Sequence, residues 1–117
     1  MDLSTIDIPV EKTAQSKIAE VDFDNLPFGK VYTDHMFICT YRDGGWQNPK
    51  VVPYQPISLE PSAKVFHYGQ TVFEGMKGYK DTDGKIWLFR PEDNQKRLNV
   101  SAKRLAIPEV PRAIFMD

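Results

Sequence analysis

The sequence predicts a small two-layer α+β domain, an antiparallel sheet with one long and one short helix. Three observations predict it. Short runs rich in β-branched and aromatic residues alternate with Gly/Asp turn signals. One stretch opened by Pro91 carries apolar residues at helical spacing. A compact segment at residues 62–75, interrupted by glycines, suits one or two short helical turns. At 117 residues the chain has the size of one domain, long enough to bury roughly two thirds of its unfolded surface.

Residues 1–24 read as a polar, weakly periodic arm broken by Pro9, with the domain itself spanning residues 25–117. Met36-Phe37-Ile38-Cys39-Thr40-Tyr41-Arg42 is a strand by composition. Asp43-Gly44-Gly45 is a turn, since glycine accepts positive φ at little cost. Lys50-Val51-Val52-Pro53-Tyr54 is the return strand, and Pro53, lacking an N–H, belongs at an edge or a bulge. Residues 76–79 and 86–89 form a second hairpin closed by Asp81-Thr82-Asp83-Gly84. Its residues alternate between two unlike faces, Met76, Gly78, Ile86 and Leu88 against Lys77, Tyr79, Lys85 and Trp87. Pro91 then opens the long helix, where its missing N–H costs nothing. Glu92 and Asp93 suit the positive end of the helix dipole, and Lys103 and Arg104 the negative end. Leu98, Ala102 and Leu105 make the apolar stripe, Pro108 and Pro111 are expected to stop the helix, and residues 113–116 read as the start of a further element.

Composition narrows the function. The 15 basic and 16 acidic residues nearly cancel, which argues against a protein that grips nucleic-acid backbones or a membrane surface. The lone cysteine, Cys39, cannot form an intrachain disulfide and reads as a small buried apolar residue. His35 and His67 stand far apart with no metal-ligand spacing, so no metal is expected, and both read as structural. The amino terminus lacks the pattern of a signal peptide and no apolar run approaches a membrane span, so the cytoplasm is the expected compartment.

Two strings carry more specific information. The first is Phe28-Gly29-Lys30-Val31-Tyr32-Thr33-Asp34-His35-Met36. The second is His67-Tyr68-Gly69-Gln70-Thr71-Val72-Phe73-Glu74-Gly75-Met76-Lys77, followed by Leu88-Phe89-Arg90-Pro91 and Asn94-Gln95-Lys96-Arg97-Leu98. Together they closely resemble the branched-chain amino acid aminotransferases of pyridoxal-phosphate fold type IV, over residues 28–117. The resemblance implies the smaller N-terminal domain of a two-domain subunit in a homodimer. By the same resemblance, the larger C-terminal domain with the Schiff-base lysine is expected to be absent from this chain.

The resemblance also implies roles for four residues. Arg97 matches the contact to the phosphate of pyridoxal phosphate, where a planar fork of donors suits phosphate oxygens. By spacing alone, the row Arg90, Arg97 and Arg104 is equally a solvated helix face. Phe28, Tyr68 and Phe73 match the walls of the substrate side-chain pocket, whereas without the resemblance they read as core aromatics. Lys77 reads as structural or ion-paired, so no catalytic residue is expected here. The implied reaction passes the amino group of leucine, isoleucine or valine to 2-oxoglutarate, giving glutamate and a branched 2-oxo acid, and the isolated chain is expected to be inactive. The alternatives are another fold-type IV enzyme, a D-amino acid aminotransferase or an aminodeoxychorismate lyase, and a shortened, non-catalytic binding or dimerisation module.

Overall fold

A computed structural model describes residues 6–117; the first five residues of the expected arm lie outside it. The architecture is α+β, with two separate two-stranded antiparallel sheets and three helices. The described chain divides into two compact units, residues 7–58 and residues 59–117 together with Ile6.

In the first unit, β1 (His35–Arg42) pairs with β2 (Gly45–Pro53). The turn between them is only Asp43-Gly44, both at positive φ, because Gly45 already pairs with Arg42. Two left-handed residues match the right-handed twist of the flanking strands, which selects Asp-Gly here. β2 also starts earlier than its composition suggests. Ile38 faces Lys50 but Thr40 faces Gln47, so Asn48 and Pro49 together oppose Cys39 in a bulge. Asn48 adopts φ 54°, a conformation asparagine tolerates, and the bulge accommodates a proline that regular pairing would reject.

Val52, 4% exposed, is the buried centre of this unit and lies opposite Met36. Tyr41 and Trp46 pair edge to face across the strands, ring centres 5.3 Å apart. Residues 9–11 run parallel beside β2: Val51 N–H donates to Pro9 O and Glu11 N–H to Val51 O, both at 2.9 Å. A single 3-10 turn, Ile18–Glu20, follows.

In the second unit, α1 (Lys64–Tyr68) ends at Gly69, whose φ of 58° is the left-handed conformation that glycine adopts most cheaply. β3 (Gly78–Lys80) pairs with β4 (Ile86–Leu88), and Tyr79 lies opposite Trp87. Asp81 closes the hairpin: its carboxylate accepts from Trp87 Nε1 at 2.7 Å, Lys85 N at 2.8 Å and Asp83 N at 3.0 Å. α2 (Pro91–Arg104) begins at the expected proline and buries Ala102 to 1% exposure, with Leu98 half-buried. Leu105 falls just past the helix.

Prolines do not end α2. Ala106 turns left-handed at φ 53°, Ile107 N–H donates to Ala102 O at 2.9 Å, and Ala106 N–H to Lys103 O at 3.3 Å. These are the two bonds of a Schellman ending. Pro108 and Pro111 come after the stop. Gln95 and Asn99, one turn apart on α2, then hold the returning chain: both side-chain amides donate to Val110 O, and Val110 N–H donates to Asn99 Oδ1. This clamp leads into α3 (Arg112–Met116), a second short helix beyond the one the sequence predicts.

Among the described residues only Val52 and Ala102 form a buried apolar core. Many large apolar side chains of both units are exposed, among them Phe28, Tyr68, Phe73 and Phe89.

Candidate functional site

The residues singled out by sequence fall in both units. Phe28 belongs to residues 7–58, and Tyr68, Phe73 and Arg97 to the other unit. Each of the three rings lies outside its unit's core. Phe28 sits at the corner of a turn in which Gly29 takes φ 70° and Lys30 N–H donates to Pro27 O at 3.3 Å, so its ring is fully exposed. Tyr68 is the last residue of α1 and is 82% exposed; it lines a shallow depression with Lys64, Gly69, Gln70 and Leu105. Phe73, in the irregular segment between α1 and β3, is 84% exposed and does not line that depression. The reading of these rings as core aromatics is therefore not what the fold does with them.

Arg97 is fixed by two residues that the sequence alone did not single out. Asn94 and Arg97 are three apart on α2 and share a face. Both reach Glu74, the carboxylate beside Phe73. Glu74 Oε1 meets Arg97 Nε at 2.5 Å, and Glu74 Oε2 accepts from Asn94 Nδ2 at 2.8 Å. Asn94 Nδ2 also donates to Gly75 O at 3.1 Å, pinning the backbone of the same segment.

The two ends of the ion pair differ in setting: the Glu74 side chain is 6% exposed and that of Arg97 66%. Oε1 is enclosed and the Arg97 N–H approaches it off the hydrogen-bond line, so charge rather than an aligned bond compensates it. Arg97, then Asn94, hold the Glu74 carboxyl below its ordinary range against the opposing effect of burial. Among the described residues Arg97 has no other ion-pair partner, and its contact to Glu74 is made at Nε.

The two histidines bond to the backbone. His35 Nε2 accepts from Thr13 N–H at 2.9 Å, and His67 Nε2–H donates to Pro61 O at 2.8 Å, in keeping with structural roles. Lys77 lies just before β3 rather than within it, and has no ion pair among the described residues. Cys39 is half-buried, its thiol 3.4 Å from Gln47 O beside the bulge. The described residues hold no cluster suited to a metal, and no helix is long and apolar enough to cross a membrane.

Three carboxylates carry a pH prediction. Asp34 is held low first by the Ser16 hydroxyl, then by Lys17 N–H; Glu74 first by Arg97; Asp81 first by the Trp87 indole N–H. Each folded-state pKa lies below the unfolded value, so the stability each contributes is complete above its unfolded pKa. It is lost as pH falls through the folded one. Thermal melting followed by circular dichroism is expected to be level from neutral pH down to the ordinary carboxylate range and to fall below it. Asp81→Asn should flatten part of that fall; an unchanged acid limb would contradict the assignment.

No family model matches the chain. Curated relatives do. Branched-chain-amino-acid aminotransferase 2 of Bacillus subtilis (strain 168) is 52% identical over 104 residues, 88% of this chain and 28% of the relative. This chain is a homologue of part of the branched-chain-amino-acid aminotransferases. Branched-chain-amino-acid transaminase 1 of the same organism is 45% identical over 108 residues, covering 92% of this chain and 30% of the relative. The branched-chain-amino-acid aminotransferase of Mycolicibacterium smegmatis (strain ATCC 700084 / mc(2)155) is 52% identical over 105 residues, 89% of this chain and 28% of the relative. The chain thus spans less than a third of the length of these aminotransferases.

Proposed function

We propose that this chain is the smaller N-terminal domain of a cytoplasmic, homodimeric, fold-type IV branched-chain amino acid aminotransferase, and that it supplies the anchor for the phosphate of pyridoxal phosphate. The observation that carries the proposal is Arg97. Its side chain is two-thirds exposed, meets Glu74 at Nε, and has no other ion-pair partner among the described residues. That donor set fits a phosphate, which takes two parallel N–H bonds from a planar cation.

When bound, the cofactor supplies the electron sink for amino transfer. The residues of this chain bind and orient. Arg97 grips the phosphate, while Tyr68 and Phe73 offer rigid apolar surface for an isobutyl or isopropyl side chain and keep water from it. Phe28 is assigned the same part in its own unit. The substrates are leucine, isoleucine or valine with 2-oxoglutarate, and the lysine that holds the cofactor covalently belongs to the larger domain. The exposed apolar surface supports this reading, because a missing domain and a second subunit would cover it.

Replacing Arg97 by lysine keeps the charge and loses the fork. In the complete subunit, Arg97→Lys is expected to release pyridoxal phosphate faster during gel filtration, read by cofactor absorbance, while Arg104→Lys is expected to retain it. Equal retention by both variants would remove Arg97 from the phosphate site.

A further inference from the structure

The strongest feature outside the residues assigned so far is the buried carboxylate of Glu74. It is the least exposed acidic side chain among the recorded ion pairs, and it lies in an irregular loop rather than a helix or strand. A carboxylate buried to this degree on a structure with so little core costs solvation energy, which calls for a reason beyond packing. Its two oxygens are divided: Oε2 accepts from the Asn94 amide at 2.8 Å, and Oε1 lies in ion-pair contact with Arg97 Nε at 2.5 Å without an aligned hydrogen bond. Asn94 in turn is tied to Gly75 O at 3.1 Å, which holds its amide in place against the carboxylate.

We propose that Glu74 is a positioning residue that fixes Arg97 by its Nε edge and thereby selects end-on recognition of the cofactor phosphate by the two terminal amino groups.

A guanidinium has two edges that can meet an oxyanion in parallel, one formed by Nε with a terminal nitrogen and one by the two terminal nitrogens. With a carboxylate oxygen 2.5 Å from Nε, the first edge is crowded by like charge, which disfavours an oxyanion there and leaves the second. An exposed arginine otherwise explores many rotamers, and holding it in one lowers the entropic cost of binding. The Glu74 charge also repels a phosphate, but across the guanidinium and at physiological salt this repulsion is screened. Orientation therefore outweighs it. Because Glu74 directly follows Phe73, the same anchor ties the pocket-wall segment to the phosphate anchor. Asn94 serves as the brace that keeps the carboxylate in place.

This inference rests on the assignment of Arg97 to the phosphate, and the test separates the two. The dissociation constants of pyridoxal phosphate and of pyridoxal, which lacks the phosphate, are measured on the complete subunit by absorbance titration. Arg97→Lys tests the assignment; Glu74→Gln, which keeps shape and the Asn94 contact but removes the charge, tests the inference. The expected result is a loss on the order of tenfold for Glu74→Gln with pyridoxal phosphate, the size that supporting partners carry at metal sites. No change is expected with pyridoxal. The double variant should lose no more than Arg97→Lys alone. Asn94→Ala should show a smaller loss with the same phosphate selectivity, and it carries the test if Glu74→Gln does not fold. Weakening of both ligands alike would make Glu74 merely structural. Equal or tighter phosphate-form binding would mean its charge opposes the ligand more than its grip helps. Either result overturns the inference if Arg97→Lys still weakens the phosphate form; if Arg97→Lys has no effect, the assignment itself fails and the inference with it.

Discussion

If the proposed aminotransferase reading holds, truncating Phe73 to alanine in the complete subunit is expected to weaken use of leucine more than use of glutamate. An apolar wall lost from a side-chain pocket costs on the order of 1–3 kcal/mol in discrimination. The fold makes this a clean experiment. The Phe73 ring is 84% exposed and belongs to no core of its own unit, so its removal costs that unit little folding energy. Phe28→Ala is expected to behave likewise, since its ring stands at the corner of a turn with no packing to lose. The readout is kcat/KM for each amino donor beside a melting temperature. Equal losses on every donor, or a large fall in melting temperature, would make these rings structural.

The second large effect is an absence of activity. The 117-residue chain alone, supplied with pyridoxal phosphate, leucine and 2-oxoglutarate, is expected to show no transamination above the free cofactor's background. A covalent intermediate divides one hard step into easier ones and needs an amine poised against the cofactor aldehyde. Arg97 offers only charge-assisted bonds from an exposed side chain, so cofactor binding is expected to be weak and to fall with added salt. Adding the separately expressed larger domain is expected to restore turnover. Turnover by the chain alone, matching that of the recombined domains, would show that the larger domain is not required.

Local chemistry made much of the fold legible. Asp43-Gly44 announced a hairpin, Pro91 with Glu92 and Asp93 announced a helix start, and the alternation put Tyr79 and Trp87 on one face, where the register sets them opposite each other. What stayed hidden depends on backbone states that composition does not mark. Asn48-Pro49 looks like a strand breaker, yet a bulge absorbs both and β2 runs on from Gly45. Ala106 ends α2 in a conformation where glycine is usual, so the downstream prolines drew attention to the wrong place.

The candidate site divides along the same line. Arg97 could be picked out because a motif surrounds it. Glu74 and Asn94 could not, because their contact joins residues twenty apart across a loop. The usable signal was the three-residue spacing of Asn94 and Arg97 on one helix face, with an acid waiting in the preceding motif. Periodicity also said nothing of how exposed the three rings are, since exposure follows from the turn and the loop that carry them rather than from their chemistry.

The central claim is that this chain carries the phosphate anchor and not the covalent lysine. The most direct measurement is to incubate residues 1–117 with pyridoxal phosphate, reduce with borohydride, and locate the label by mass spectrometry. Sparse labelling spread over surface lysines is the predicted result. A stoichiometric adduct at one lysine, Lys77 above all, accompanied by leucine transamination, would contradict it.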